Sequence, residues 1–524
     1  MANPTIMDLL QHRAEQRPGA VVLQAMGAEP LTAEGILRLV QDTGAALRAA
    51  GCRANDRVAV VMPNGPEMAT ACLSLTATSV CVPLNPDYTR LEVRGLMQRL
   101  RVTHVVASEG HAAACEAAAD LELPLMTIGA VDGAEAGRFV LEGADTPASL
   151  NGNPGPSPNG TGRPGPDDLA MVLHTSGSTA EPKIVPLTHR NLLTSAENVA
   201  RSLGLGPEDV CLSTMPLFHI GALVDLLLAP LAAGGSIVVG RTMTAGDFFE
   251  HLERFSPTWD QGVPTVLMDI LRRARSDAAV PAPTTSLRFV RSVSAPCPVH
   301  VLTDFEETFG VPVIEIYGMT ETAGVITSNP MPPGQRRAGS VGLPAGPEIL
   351  ILDAAGDEAA PGRRGEVLVR GANVLAGYET GSGDDIGSEP TAFWNDWFRT
   401  GDEGYLDADG YLFLTGRIKE LINRGGEKIS PVEIDEVVLA HPDVRDAAAF
   451  AHPHPTLGED VALAVVPHAG RTIERAGITA FCSDRLAPFK VPRTIHVCDE
   501  LPRAPGGKLQ RSRLGDWCLP DAAD

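Results

Sequence analysis

Lysine is nearly missing from this chain of 524 residues. Lys183, Lys419, Lys428, Lys490 and Lys508 are the whole set, and the other basic residues are arginine. Against 65 acidic residues the 42 basic ones leave a formal charge of −23. So negative a balance argues against a nucleic-acid surface or an anionic membrane as partner. An anionic ligand must then be held by local cations and backbone dipoles. Where arginine is so preferred, a retained lysine points to a need for a compact, flexible ammonium. Paired cysteines are lacking too. The nine cysteines are scattered, odd in number and never spaced C-x-x-C. That pattern argues against a disulfide framework or a zinc site and fits reduced thiols in a cytoplasm. No uninterrupted apolar run reaches the length of a membrane span; Ala222 to Ala233 is too short and carries Asp225. Residues 1–19 read as a charged amphipathic helix with no signal peptide.

What is present is the length for two or three domains, with a hydrophobic content of 44%, ordinary for a globular protein. Arg57 to Met62 is a buried-strand pattern, and Pro66 to Thr78 reads as a helix. Cys81 to Leu84 and His104 to Ala107 repeat the strand character, as do Val210 to Met215, Ser236 to Val239, Leu287 to Val293 and Pro312 to Tyr317. Strands alternating with helices predict an α/β fold with a largely parallel sheet. Residues 143–168 are so rich in Gly, Pro, Ser and Asn that they predict a flexible connection. Later, Glu348 to Asp353, Gly365 to Arg370 and Gly410 to Thr415 predict a small β subdomain. A compact α+β unit follows, with a helix over Pro431 to Ala440, a strand over Ala447 to Ala451 and a helix near Ile473 to Leu486. The expected division is a large N-terminal domain, 1–418, and a small mobile C-terminal domain, 419–524.

The stretch His174 to Asn191 (H-T-S-G-S-T-A-E-P-K-I-V-P-L-T-H-R-N) follows the apolar run Leu169 to Leu173. Strand, small polar loop and lysine together offer backbone N–H groups, hydroxyls and one cation to a polyphosphate. It is not the Walker loop, since G-x-x-x-x-G-K-[ST] is absent. Alone, such a cluster marks an ordinary turn as readily as a phosphate cradle.

Five further stretches accompany it in order: Y-G-M-T-E-T from Tyr317, R-T-G-D from Arg399, G-R-I-K-E from Gly416, N-R-G-G-E-K-I-S-P-V-E-I-D from Asn423 and P-R-A-P-G-G-K ending at Lys508. Together they closely resemble the AMP-forming adenylating superfamily of acyl-CoA synthetases, carrier-loading adenylation domains and beetle luciferases, over nearly the whole chain. Within it, the motifs look most like those of oxalate–CoA ligases and related short acyl-CoA synthetases. The resemblance implies ATP (or a preformed acyl-AMP), CoA and Mg²⁺ as reactants and cofactor. A small-molecule carboxylate would attack the α-phosphorus of ATP, and a thiol would then displace AMP.

The resemblance also implies roles. Thr175, Ser176, Gly177, Ser178, Thr179 and Lys183 would cradle the β- and γ-phosphates. Tyr317 would stack on adenine, Gly318 would let a ligand approach the backbone, and Ser294, Ala295 and Pro296 would line the adenine edge. Thr320 would lie near the α-phosphate, with Glu321 as the Mg²⁺ ligand. Asp402 would bind the ribose hydroxyls, and Arg417 ribose and phosphate. Lys419 would be the hinge, and Lys508 would enter the site only for adenylation. Gly425, Gly426 and Glu427 would face the pantetheine tunnel.

For the acyl pocket the implied residues are His219, Gly221, Val224, Val263, Gly318, Ala323 and Gly324. Their small size enlarges the pocket and removes polar partners, which favours a bulky hydrophobic acid over a dicarboxylate. His219 either gates the thiol tunnel or satisfies a core hydrogen bond. Three departures bear on the first step: Ala180 and Ile184 stand where small residues are usual, and Ala504-Pro505-Gly506 replaces hydroxyl-bearing residues before Gly507-Lys508. A complete acyl-CoA ligase is therefore the first expectation. The alternatives are a partial enzyme using preformed acyl-adenylate, an adenylation domain loading a carrier protein, and a nucleotide-binding pseudoenzyme.

Overall fold

Short runs of Val, Ala and Cys bury both faces, so they pair as the interior strands of parallel sheets. The computed structural model describes residues 4–131, 133–143, 164–175, 183–242, 244–276, 286–379, 392–504 and 508–518. In one sheet of seven strands, Arg57–Val61, Val80–Pro83, His104–Ser108 and Leu125–Ala130 run parallel. In a second, of nine strands, Val210–Ser213, Ser236–Val239, Trp259–Gly262, Phe289–Ser292 and Val313–Met319 do the same. The helix Pro66–Thr78 is buried along almost its whole length, as an all-round apolar helix must be. It shares one core with Val58, Val60 and Met171 of the first sheet and Cys211, Ile237 and Trp259 of the second. Alternate residues turn to the outer faces: Ala59, Val61 and Val82 form a second core, and Leu212, Val238 and Val290 a third.

Two smaller sheets complete the chain. Glu348–Leu352, Gly365–Arg370, Trp397–Leu406 and Leu412–Arg417 are antiparallel. The C-terminal unit has its own sheet, built on the long hairpin Val444–His454 and Gly458–Pro467. The helices Pro431–Leu439 and Arg475–Ser483 cover it, with Ile422, Ile434, Leu463 and Ile478 in its core. The protein is thus a large α/β N-terminal domain with a small α+β C-terminal domain.

Two segments hold strands that the sequence reading did not give. One lies between the polar loop and the helix His189–Leu203. Lys183–Thr188 is an antiparallel strand beside Leu169–Thr175, because Ile184, Val185 and Leu187 are all buried there. The R-T-G-D stretch lies inside the strand Trp397–Leu406, whose inward positions alternate with glycine and polar residues and so carry little apolar signal. Most of the 143–168 connection lies outside the described residues.

The helix His189–Leu203 opens on a reciprocal cap between Thr188 and Asn191. Its first residue, His189, is fully buried, and its Nδ1 accepts from the Ile6 amide at 3.3 Å. That bond needs the neutral ring, and burial depresses the imidazole to about 4. In the unfolded chain the same group titrates at about 6.5. His189 therefore contributes stability that is full above pH ~6.5 and is lost as pH falls toward 4. In urea melts at stepped pH, His189→Gln, which keeps an acceptor for Ile6, is expected to lose less stability than the wild type between pH 6.5 and 4. Equal slopes would remove His189 as the source.

Candidate active site

The strand Val313–Met319 carries Tyr317 to the end of the nine-stranded sheet, and the turn Thr320–Thr322 follows at once. Tyr317 is buried, and its hydroxyl donates to Asp402. Asp402, in Trp397–Leu406, lies opposite Arg417 in the next strand, and Arg417 Nε meets Asp402 Oδ1 at 2.8 Å. Burial pushes the Asp402 carboxyl above its ordinary value, while Arg417 and the Tyr317 hydroxyl pull it back. Burial and the neighbouring Asp402 raise the Tyr317 phenol well above its usual range. Ser294, Ala295 and Pro296 form an exposed loop after Phe289–Ser292, and Ser294 takes the left-handed φ of 69°.

Glu321 is buried in the turn, and its Oε1 accepts from Tyr378 at 2.8 Å. The Lys183 ammonium stands 4.3 Å from the centre of the Tyr378 ring. Tyr378 thus bridges the lysine after the polar loop and the carboxylate of the turn. The turn is held from behind: the Leu375 amide donates to the Glu321 carbonyl at 2.8 Å, and Asn373 Nδ2 to that of Thr322 at 2.8 Å. Asn191 reaches the same loop, donating to the Ala372 and Val374 carbonyls. Thr175 and Lys183 face each other across their strand pair. Ser176, Gly177, Ser178 and Thr179, with Ala180, lie outside the described residues.

Lys508 enters from the C-terminal domain on a hairpin closed by Ala504 N–H to the Lys508 carbonyl, 2.8 Å. Lys508 is exposed, and its ammonium lies in electrostatic reach of Arg417, Asp402, Glu420 and Glu321. Desolvation first, then Arg417, lower its pKa, and the three carboxylates oppose this. His219 lies in the same field. Desolvation, then His174 and Lys508, depress it to about 4, so its ring is neutral at ordinary pH. His219 Nε2 is buried without a hydrogen-bond partner among the described residues. The neighbouring His174 meets the Tyr88 hydroxyl at 3.3 Å.

Lys419 is exposed in the turn Ile418–Glu420. Gly425, Gly426 and Glu427 are exposed at a tight turn joining Ile422–Arg424 to Glu427–Ile429. Gly425 N–H is bonded to the Leu457 carbonyl at 2.8 Å.

The structure adds to three expectations. At Gly318 the neighbouring strand by itself requires glycine: a Cβ there would stand 2.1 Å from the Gly324 carbonyl oxygen. Ile184 pairs with His174 in a regular strand, takes no left-handed φ and is buried in the core. The glycines expected to line an acyl pocket have polar side chains close by. A Cβ on Gly221 would lie 3.4 Å from Gln261 Nε2, and one on Gly324 3.1 Å from Asp225 Oδ1. Val224, Val263 and Ala323, by contrast, are buried and apolar as expected. Sequence reasoning missed Tyr378, His174 and Tyr88, since no local spacing ties Tyr378 to Glu321 across 57 residues.

Two parallel-sheet layers, an antiparallel subdomain and a small C-terminal domain delivering one lysine to a Tyr–Asp–Arg cluster define an adenylate-forming ligase. The chain belongs to the AMP-binding enzyme family, which matches residues 10–379, with the AMP-binding enzyme C-terminal domain over 433–508. It is 38% identical over 518 residues to an oxalate–CoA ligase of Arabidopsis thaliana, covering 98% of each chain. It is also 38% identical to a sulfoacetate–CoA ligase of Cupriavidus necator, covering 97% of each. Among solved structures, ATP-bound MatB from Rhodopseudomonas palustris, 26% identical, overlays with a TM-score of 0.85, covering 99% of this chain and 100% of that one. The apo form of the same protein overlays less well, at 0.74, covering 98% of each. The protein is an acyl-CoA ligase of the AMP-forming type, joining an acid to a thiol.

The contrast between two glycines is testable. Gly318→Ala meets backbone and is expected to destabilise the protein by about 3 kcal/mol or more, whereas Gly221→Ala is expected to cost within about 1 kcal/mol. Thermal unfolding of the two variants measures the difference; equal effects would contradict the packing described.

Proposed function

We propose that this ligase runs both half-reactions on a bulky carboxylic acid with a largely apolar body. The acid attacks the α-phosphorus of ATP, expelling pyrophosphate and leaving acyl-AMP, and CoA then displaces AMP to give the thioester. The observation that carries this reading is Lys508: its charge lies among those of Asp402, Arg417 and Glu321. There an ammonium can bridge the carboxylate and the α-phosphate and offset the charge that develops between them. Thr175 to Thr179 with Lys183 hold the β- and γ-phosphates. Tyr317 and the Ser294–Pro296 loop hold adenine, Asp402 and Arg417 the ribose, and Thr320 the α-phosphate. Val224, Val263 and Ala323 form the apolar wall around the acyl body. Ile184, seated in a regular strand, gives no reason to doubt adenylation, while Ala180 and Pro505-Gly506 lie outside the described residues; the full ligase is preferred over the partial enzyme for the place of Lys508.

Glu321 fits a Mg²⁺ ion: it is a buried hard-oxygen donor whose Oε1 is oriented by Tyr378. The ion would neutralise phosphate charge when bound. Tyr378→Phe keeps the ring beside Lys183 and removes the donor. It is expected to raise the Mg²⁺ concentration for half-maximal turnover about 10-fold, and an unchanged Mg²⁺ titration would count against Glu321 as the ligand.

The domain boundary is proposed at 418/419, with Lys419 as the hinge. Glu420 is clamped to Arg511 Nε at 3.3 Å, and Arg511 also grips Asp435 at 2.6 Å, so Glu420 moves with the C-terminal domain. Arg417 belongs to the antiparallel sheet. Rotation is then confined to Ile418 and Lys419. After it, Gly425, Gly426 and Glu427 would face the pantetheine of CoA.

The test uses two assays: acids with ATP, reading pyrophosphate, and synthetic acyl-AMP with CoA, reading acyl-CoA. Lys508→Ala is expected to lower the first by about 100-fold or more and the second by only a few-fold. Equal loss in both would refute the role given to Lys508. Product only in the second assay from the unaltered protein would instead identify a partial enzyme.

A further inference from the structure

Two thiols of the C-terminal domain stand together, and neither half-reaction uses them. Cys498 Sγ and Cys518 Sγ are 3.8 Å apart, and both residues are half-buried. Cys498 follows the strand Thr494–Val497, and its amide donates to the Val465 carbonyl at 2.9 Å, so it is tied to the sheet of that domain. Cys518 ends the short helix Leu514–Cys518. That helix is seated by Leu514, fully buried in a small core with Phe450, Ala464 and Leu501. Cys72 and Cys81 also neighbour each other, but both are shut in the main core, out of reach of a dissolved oxidant.

From 3.8 Å, a disulfide length of about 2.05 Å is reached by an approach of about 1.8 Å, shared between two side chains that are not fully packed. The chain between the two thiols carries Lys508. It is held to its domain by that small core and by ion pairs: Arg503 meets Asp446 at 2.6 Å, and Arg511 meets Asp435 at 2.6 Å. A covalent bond across the base of this segment removes many of its open conformations. Both sulfurs belong to the C-terminal domain, so the bond travels with that domain and does not oppose its rotation.

We propose that Cys498 and Cys518 are a reversible disulfide site, closed by a small-molecule disulfide as oxidant, that staples the segment carrying Lys508 to the C-terminal sheet. Cys498 gives its proton to solvent, attacks one sulfur of the oxidant and expels one small thiolate. Cys518 then loses its proton and attacks the Cys498 sulfur, expelling the second. The protein thiols give up two electrons, and the oxidant leaves as two thiols once its thiolates take the two protons. Burial first, then Cys498, push the Cys518 thiol up to about 12, so Cys518 is the poorer first nucleophile. Capping Cys498 removes the second of these causes and frees Cys518 to resolve the intermediate. The catalytic consequence rests on the role given to Lys508 above; the bond itself does not.

The experiment treats the full-length protein with glutathione disulfide and then with dithiothreitol. Peptide mapping by mass spectrometry is expected to find one Cys498–Cys518 bond, with the other seven of the nine thiols free, and dithiothreitol is expected to reverse it. Tryptic cleavage after Arg503, Lys508, Arg511 and Arg513 is expected to slow about 10-fold in the oxidised form. At the urea concentration that halves pyrophosphate release by the reduced protein, the oxidised protein is expected to keep nearly all of it. Thioester formation from acyl-AMP under the same conditions is expected to be equal in the two forms. Cys518→Ser is expected to lose every difference, and Cys115→Ser to keep them all. A mixed disulfide that never resolves overturns the proposal, as does a Cys498–Cys518 bond that leaves cleavage or the urea sensitivity of pyrophosphate release unchanged. If neither form releases pyrophosphate even without urea, the full-ligase reading fails, and mapping with cleavage still decides the staple.

Discussion

The site depends on one buried carboxylate that needs partners from three parts of the fold. Asp402 sits on the antiparallel sheet, where burial pushes its carboxyl above the ordinary value. Tyr317, from the nine-stranded sheet, donates to it, and Arg417, at the exit toward the C-terminal domain, pairs with it. Lys508 adds a cation from the C-terminal domain itself. Each contact offsets part of the desolvation cost, so two sheets and the C-terminal domain meet at one group. The domain rotation proposed above would withdraw one of these charges and alter the electrostatic field of the others.

The turn bearing Glu321 follows the same logic with neutral groups. Its carbonyls are taken up by Leu375 and Asn373, and the loop supplying them is tied in turn to Asn191 at the start of a capped helix. Tyr378, on that loop, faces Lys183 with its ring and Glu321 with its hydroxyl. A site that must place a phosphate chain and a carboxylate within fractions of an ångström gains from such support, since each side chain is held from behind.

Much of this was legible before any coordinates. The alternation of apolar runs and helical stretches reports burial on both faces of parallel strands, and it located several interior strands of both large sheets but not Trp259–Gly262 or Leu125–Ala130. Motif order carried the family and, with it, a list of residues for the site. The strand through R-T-G-D was not legible, because glycine and polar residues occupy positions where apolar alternation would have announced it. A constraint on Gly318 that was not legible is the carbonyl of Gly324 on the next strand, since strand neighbours are not visible in a linear string.

By itself, then, the sequence determined the α/β class, the family and the residues available for adenylation, because periodicity and motif order are local properties. Tertiary structure decided which of them meet. Arg291 and Asp225 lie 66 residues apart, one on a strand and one in an otherwise apolar helix where a lone carboxylate reads as an exception. Only folding turns them into a neutral pair behind two glycines. Pairing of that kind is set by the long-range packing of sheet on helix, and no local pattern encodes which buried charge will find which partner.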